Sequence, residues 1–191
     1  MRTLEVPDFI KGLIFDCDGT LVDSMPLHMR AWEHAITAQG GVWEPEFFVT
    51  KKGMPEEKIV ALYNKHYGTQ FDPVQTVKNK HKFFRAHATE FRPIPHVVAV
   101  VYKYHGILPM AVASGGTREN VEFELRALGI HDYFTAIVTA DDHLDPKPAP
   151  DIFLEAARLI GVPPQYCQVF EDGELGLEAA RRAGMLATDI R

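Results

Sequence analysis

Only two cysteines, Cys17 and Cys167, occur in the 191 residues, and both lie in apolar segments. A disulfide framework is excluded, and a reducing compartment is expected, so the cytoplasm is the predicted location. No apolar run approaches the roughly 18 residues that a membrane span requires, so no membrane role is expected. Met1-Arg2-Thr3-Leu4-Glu5 carries charge with no apolar stretch behind it, which argues against a secretory signal. There is no polybasic run. Lys plus Arg is 20 against 26 for Asp plus Glu, a formal charge of −6. Nucleic acid is therefore not an expected partner. A small anionic substrate remains compatible, because a local cation can offset the global charge. No internal repeat and no low-complexity segment is present.

What is present is an alternation. Hydrophobic residues make up 46% of the chain and charged residues 24%, an ordinary globular balance. Short apolar runs read as buried strands at Gly12-Leu13-Ile14-Phe15, at residues 109–113, at 136–140, at Gln168-Val169-Phe170 and at Leu186-Ala187-Thr188. Helical patterns separate them. Thr117 is expected to cap one helix that stops at Gly129. Asp151 opens another ending before Gly161, and Glu174 to Ala183 is closed by Gly184. Strand and helix in alternation predict an α/β fold with a doubly wound, Rossmann-like parallel sheet.

One interval breaks the rhythm. Between Asp23 and Pro93 no buried strand is legible, and helices are expected over 26–38, 55–66 and 73–90. Asp72-Pro73 is a cap followed by proline at the first helical position. The interval reads as a small all-helical lobe inserted after the first strand. The expected division is a discontinuous core, 1–23 and 94–191, and a helical lobe, 24–93.

In open parallel sheets ligands bind beyond the carboxyl ends of the strands. Here three of the four clearer strands end in acidic residues: Asp16, Asp141-Asp142 and Glu171-Asp172. The fourth ends in Ser114. An isolated Asp at a strand end is usually a turn former. The joint pattern asks for more. Asp16 and Asp18, two residues apart, need a cation to be desolvated together. Magnesium takes oxygen ligands and keeps room for substrate oxygens, and Glu171-Asp172 could complete its shell. Asp16 could then attack phosphorus while Asp18 serves as proton donor. Ser114-Gly115-Gly116-Thr117 offers a hydroxyl and glycine amides at a helix start, a ready anion site. Lys147 sits in the proline-stiffened run Asp145-Pro146-Lys147-Pro148 and could bind both a phosphate and a carboxylate.

Four pieces in this order resemble the four motifs of the haloacid dehalogenase superfamily. They are Asp16-Cys17-Asp18-Gly19-Thr20-Leu21-Val22-Asp23-Ser24, then Ser114, then Lys147 with Pro148-Ala149-Pro150-Asp151, then Glu171-Asp172 with Gly176 and Ala179 to Met185. The resemblance covers nearly the whole chain. It implies a magnesium-dependent phosphatase in which Asp16 is phosphorylated. Asp18 would be acid and base, and Ser114 and Lys147 would hold the phosphoryl oxygens. It also implies Mg²⁺ on Asp16, the Asp18 carbonyl, Asp172 and Glu171, directly or through water. Asp18 is the acidic residue that the family's dehalogenases lack. The inserted lobe falls where the family places a helical cap.

Within the family the chain is most similar to the fructose-1-phosphatase and β-phosphoglucomutase group, through Asp23 to Trp32. That implies a sugar-phosphate substrate, fructose-1-phosphate or 6-phosphogluconate in class, and a monomer. The matching cap residues are His28, Lys52 and Lys80, with Lys78 as an alternative to Lys80. Glu56 stands where the mutase carries a phosphate-holding arginine, which favours a phosphatase over a phosphomutase. Gly173 departs from the residues usual after Glu-Asp. A phosphomutase is the second expectation. A non-catalytic phospho-accepting or phosphosugar-binding module is the third. Without the family match, Lys52, Lys80 and Lys147 would be read as solvated charges, and His28 as a packing residue. Trp32, Trp43, Phe83 and Phe84 read as lobe core, Arg118 as water-facing, and Cys17 as turned from the nucleophile by the strand period.

Overall fold

The computed structural model describes residues 3–51 and 54–191. Five strands form one sheet: β1 Gly12–Phe15, β2 Met110–Ala113, β3 Ala136–Val138, β4 Cys167–Glu171 and β5 Leu186–Asp189. All neighbours are parallel and the order is β3-β2-β1-β4-β5. The fold is thus the α/β doubly wound sheet expected from the alternation. β1, β2 and β4 are buried throughout, which is why they read as unbroken apolar runs rather than alternating ones.

Helices intervene between the strands: α5 Pro95–Tyr104, α6 Arg118–Ala127, α7 Asp151–Leu159 and α8 Glu174–Arg182. Ile14 on β1 shares a core with Ile152, Phe153 and Ala156 of α7 and Ala179 and Ala180 of α8. One residue on, Phe15 stacks on Phe170 at 4.8 Å between ring centres and meets Phe134 edge-on at 5.9 Å. The small residues of α7 and α8 let both helices approach the sheet closely. Gly129 and Gly184, expected as stops, both have left-handed backbones just beyond α6 and α8.

Two expectations in the sheet unit need correction. The Thr117 side chain makes no cap bond to α6. The Asp141 carboxylate takes that role and accepts from the Arg118 N–H at 2.8 Å. β3 ends at Val138, not 140, because Thr139 and Asp142 form a reciprocal capping box on a short 3₁₀ turn. α5 is not among the helices expected from the sequence. Val97, Val98, Val100 and Val101 form one buried helical stripe on it.

The chain divides into two compact units, Met1–Asp23 with Phe91–Arg191, and Ser24–Glu90. Residues 91–93 group with the sheet unit. The reason is backbone pairing: Asp23 N donates to Arg92 O at 2.8 Å, Val22 bridges Pro93, and Ile94 N donates to Leu21 O at 3.0 Å.

The second unit is all helical: α1 Met25–Thr37, α2 Pro45–Val49, α3 Glu56–Tyr67 and α4 Pro73–Ala86. Asp72 caps α4 by accepting from Gln75 N at 2.8 Å. The helix expected over 73–90 stops at Ala86 and is followed by a 3₁₀ turn at Ala88–Glu90. Trp32, Ile36, Phe48, Ile59, Val60, Tyr63 and Val77 make its core, with Trp43 packed against it. Among the described residues no helix is long and apolar enough to cross a membrane.

Candidate active site

β1 delivers Asp16 to the carboxyl edge of the sheet. There the Asp16 N–H still donates to Phe170 O at 3.0 Å, so the last bond of the β1–β4 ladder fixes its backbone. The chain then turns sharply. The Cys17 carbonyl accepts from the N–H groups of Thr20, Leu21 and Val22 at 2.9–3.1 Å. Gly19 has φ +85°, and a Cβ there would stand 2.7 Å from the Asp172 carboxylate. Only glycine meets both demands. Thr20 Oγ1 donates to Asp172 Oδ1 at 3.3 Å, tying this turn to the end of β4.

Lys147 reaches this edge from the loop before α7. Its ammonium donates to Asp16 Oδ1 at 2.6 Å and to Glu171 Oε2 at 2.7 Å. The stem lies near the Phe153 ring, with Nζ 5.0 Å from its centre. Glu171 Oε1 accepts from the backbone N–H groups of Asp172 and Gly173 at 3.0 and 2.8 Å. Both Glu171 oxygens are thus engaged, so this side chain orients Lys147 and the loop beyond β4.

The electrostatics are those of crowded acids in a poorly solvated site. Burial and the adjacent Glu171 push the Asp16 carboxyl up to about 8, against the pull of Lys147. Burial lowers Lys147, but Asp16 and Glu171 outweigh it and hold the ammonium above the ordinary lysine range. Oxygens of Asp16, Glu171 and Asp172 lie within 4.8 Å of one another. Three carboxylates face one ammonium, and every donor is a hard oxygen. A divalent cation such as Mg²⁺ fits that donor set and that charge.

β2 brings Ser114 alongside. Its N–H donates to Val138 O at 3.0 Å, and its hydroxyl accepts from Gly116 N at 3.0 Å. A Cβ on Gly116 would lie 3.3 Å from Ser114 Oγ and 3.5 Å from Asp18 Oδ2, so Ser114, Gly116 and Asp18 border one space. Gly115 is exposed, with nothing within 4 Å of an added Cβ. Asp141 and Asp142 do not join the acidic cluster. Asp142 chelates Arg118 at 3.0 and 2.8 Å and is held below the usual carboxylate range by the Thr139 N–H and Arg118, although burial opposes this. Arg118, expected to face water, is half-exposed but engaged. Cys17 turns away from Asp16 and donates to the buried Glu124 at 3.4 Å.

In the helical unit His28 and Lys80 meet, with Lys80 Nζ 2.8 Å from His28 Nδ1. Lys80 is 1% exposed and lies within 6 Å of the Trp32 and Phe84 rings, while Lys78 is exposed. The Glu56 carboxylate pairs with Lys80 and also accepts from His81 Nε2. Burial raises the Glu56 carboxyl, but Lys80 and His81 prevail and hold it at about 2. Neither the Glu56–Lys80 pairing nor His81 is legible in the sequence, because the partners lie on different helices, 24 and 25 positions apart. Lys52 lies outside the described residues.

Residues 10–184 match the model of the family described as haloacid dehalogenase-like hydrolase. The chain is 38% identical over 181 residues to fructose-1-phosphate phosphatase YqaB of Escherichia coli, covering 94% of this chain and 96% of the relative. It is 26% identical over 189 residues to β-phosphoglucomutase of Bacillus subtilis, covering 95% and 83%. Among solved structures it resembles CbbY from Rhodobacter sphaeroides in complex with phosphate, with TM-score 0.81, 28% identity, and 93% and 84% of the two chains covered. The expected enzyme class, a phosphatase, agrees with these relatives, and the chain belongs to the haloacid dehalogenase-like hydrolases.

Proposed function

We propose that the protein hydrolyses a small sugar phosphate through a phosphorylated Asp16. The observation that carries the reading is the placement of the Lys147 ammonium between Asp16 and Glu171, 131 and 24 residues distant. The ammonium holds Asp16 Oδ1 and leaves the second oxygen to attack phosphorus, and a divalent cation among these carboxylates would offset the burial and the Glu171 charge that raise Asp16. Ser114, the Gly115 amide and Lys147 bind the phosphoryl oxygens, and the Gly116 N–H orients the Ser114 hydroxyl. Asp18 protonates the departing alcohol and then takes a proton from the water that releases phosphate.

Asp16, the Asp18 carbonyl and Asp172 hold Mg²⁺ in this reading, with Glu171 supporting them through the loop and Lys147. The bound ion supplies charge neutralisation for the transferred group. In this reading the helical unit selects the substrate through His28 and Lys52, with the buried Lys80 orienting His28 and Glu56. The 38% identity to a fructose-1-phosphate phosphatase, over nearly the full length of both chains, supports a sugar phosphate as substrate. In the same reading the protein is a cytoplasmic monomer.

The test is phosphate release from a panel of sugar phosphates with Mg²⁺. Folded Asp16→Asn is expected to be inactive. Wild-type turnover by that variant would remove the mechanism. Sugar-phosphate isomerisation without phosphate release would instead establish a mutase.

A further inference from the structure

α7 carries one aromatic residue among its nine, Phe153. Its other buried positions, Ile152, Ala156 and Ala157, are aliphatic, and all four share the core of Ile14. Phe153 is fully buried, so packing alone accounts for a bulky apolar side chain there. It does not account for a ring. The Lys147 ammonium lies over that ring, 5.0 Å from its centre. A lysine ammonium has three N–H donors on a flexible four-carbon stem. Asp16 Oδ1 and Glu171 Oε2 take two of them. Those two bonds fix the tip and leave the stem free to swing. A ring face on a further side attracts the charge and blocks that swing. The Lys147 side chain keeps 15% of its surface exposed, so its remaining donor has an open side.

We infer that Phe153 is a positioning residue for phosphoryl transfer, whose π-face holds the Lys147 ammonium on Asp16 and Glu171 with the third N–H left for a phosphoryl oxygen. The ring is itself anchored. Phe153 N–H donates to Pro150 O at 3.0 Å in the first turn of α7, and its side chain is locked in the core. The helix thus reaches the reacting edge through a side chain that never touches substrate. Transfer depends on alignment within about half an ångström, so a looser ammonium costs rate even where every hydrogen-bonding group is still present.

The inference rests on the phosphatase reading and deepens it. The experiment replaces Phe153 by mono-, di- and trifluorinated phenylalanine in the full chain. Each fluorine draws negative charge from the ring face, while the side chain keeps nearly the same volume. Two quantities are read. The first is kcat/KM on p-nitrophenyl phosphate with Mg²⁺, expected to fall stepwise and to reach about a tenfold loss at three fluorines. The second needs no turnover: acetylation of Lys147 by acetic anhydride without Mg²⁺, followed by peptide mass. Its rate should rise stepwise through the same series, by about tenfold at three fluorines. Phe153→Leu, with no ring, should lose at least as much turnover as the trifluorinated protein. A ring that only fills the core would leave both quantities flat, and that result in folded proteins overturns the inference. So does a loss of turnover that follows melting temperature and not fluorine number, or faster acetylation with unchanged kcat/KM. A wild-type protein that releases no phosphate from p-nitrophenyl phosphate or any sugar phosphate sinks the phosphatase reading, and the acetylation series still decides whether Phe153 holds Lys147.

Discussion

Gly176, on the first turn of α8, packs directly against the Glu171 side chain, and a Cβ at that position would overlap the carboxyl group itself. The helix can start beside β4 only because this residue has no side chain. Ordinarily Gly→Ala within a helix stabilises by up to about 1 kcal/mol. Here the clash decides the sign. Gly176→Ala is expected to cost about 1–3 kcal/mol, read as a lower melting temperature. Turnover should fall with it, because the displaced carboxylate is the one that holds Lys147. A Gly176→Ala protein as stable and active as wild type would refute this account.

Lys147 neutralises two carboxylates at once. Lys147→Met leaves Asp16 and Glu171 facing each other in a desolvated site, and losing one partner of a buried ion pair costs about 3–5 kcal/mol. Thermal unfolding without Mg²⁺ should show the loss, and added Mg²⁺ should recover part of it. Turnover should drop by at least about a hundredfold, since a charge-assisted contact to the transferred group disappears. Mg²⁺-independent stability in this variant would speak against ion binding among these carboxylates.

The pH dependence of folding should carry a signature of Glu56. Its folded value, about 2, lies below the ordinary 4.5. A depressed carboxyl contributes stability that is complete above 4.5 and fades as pH falls toward 2. The full contribution is on the order of 3 kcal/mol. Denaturant unfolding of wild type and Glu56→Gln at successive pH values is the measurement. Their stability gap should be widest at pH 6 and narrow below pH 4.5. A gap that is constant with pH would mean the Glu56–Lys80 pairing is not ionic in the folded protein.

Asp142 makes the opposite prediction. It holds Thr139 and Arg118 and takes no part in the acidic cluster. Asp142→Ala removes a cap and should cost about 1 kcal/mol of stability. Turnover should stay within about twofold, by contrast with any change at Asp16. A large fall in kcat at full stability would place Asp142 in the chemistry.

Asp142 also marks how far the sequence can be read. The four strand ends are legible because buried parallel strands are continuous apolar runs, and a polar residue at the close of such a run stands out. Their different uses are not legible. Asp141 and Asp172 look alike in one dimension, yet one caps α6 and the other abuts Gly19. Only the strand order separates them, because β4 is beside β1 and β3 is not. Asp72 is legible because its cap bond is local. Glu56 reads as an isolated charge because its partners arrive from another helix, and no local pattern encodes that meeting. α5 is hidden because β-branched residues usually favour strands, and tertiary burial overrides the preference.

The bridge between Val22 and Pro93 has an architectural consequence. The chain leaves the sheet unit at Asp23 and re-enters it at Phe91, and these two crossings are already zipped together, Asp23 to Arg92. To the sheet, everything in Ser24–Glu90 is a single loop whose stem is clasped. The entropy of closing a loop grows only slowly with its length. Lengthening the insert at such a stem therefore costs little entropy. A clasped stem lets the inserted segment change length without parting the sheet-unit residues that flank it.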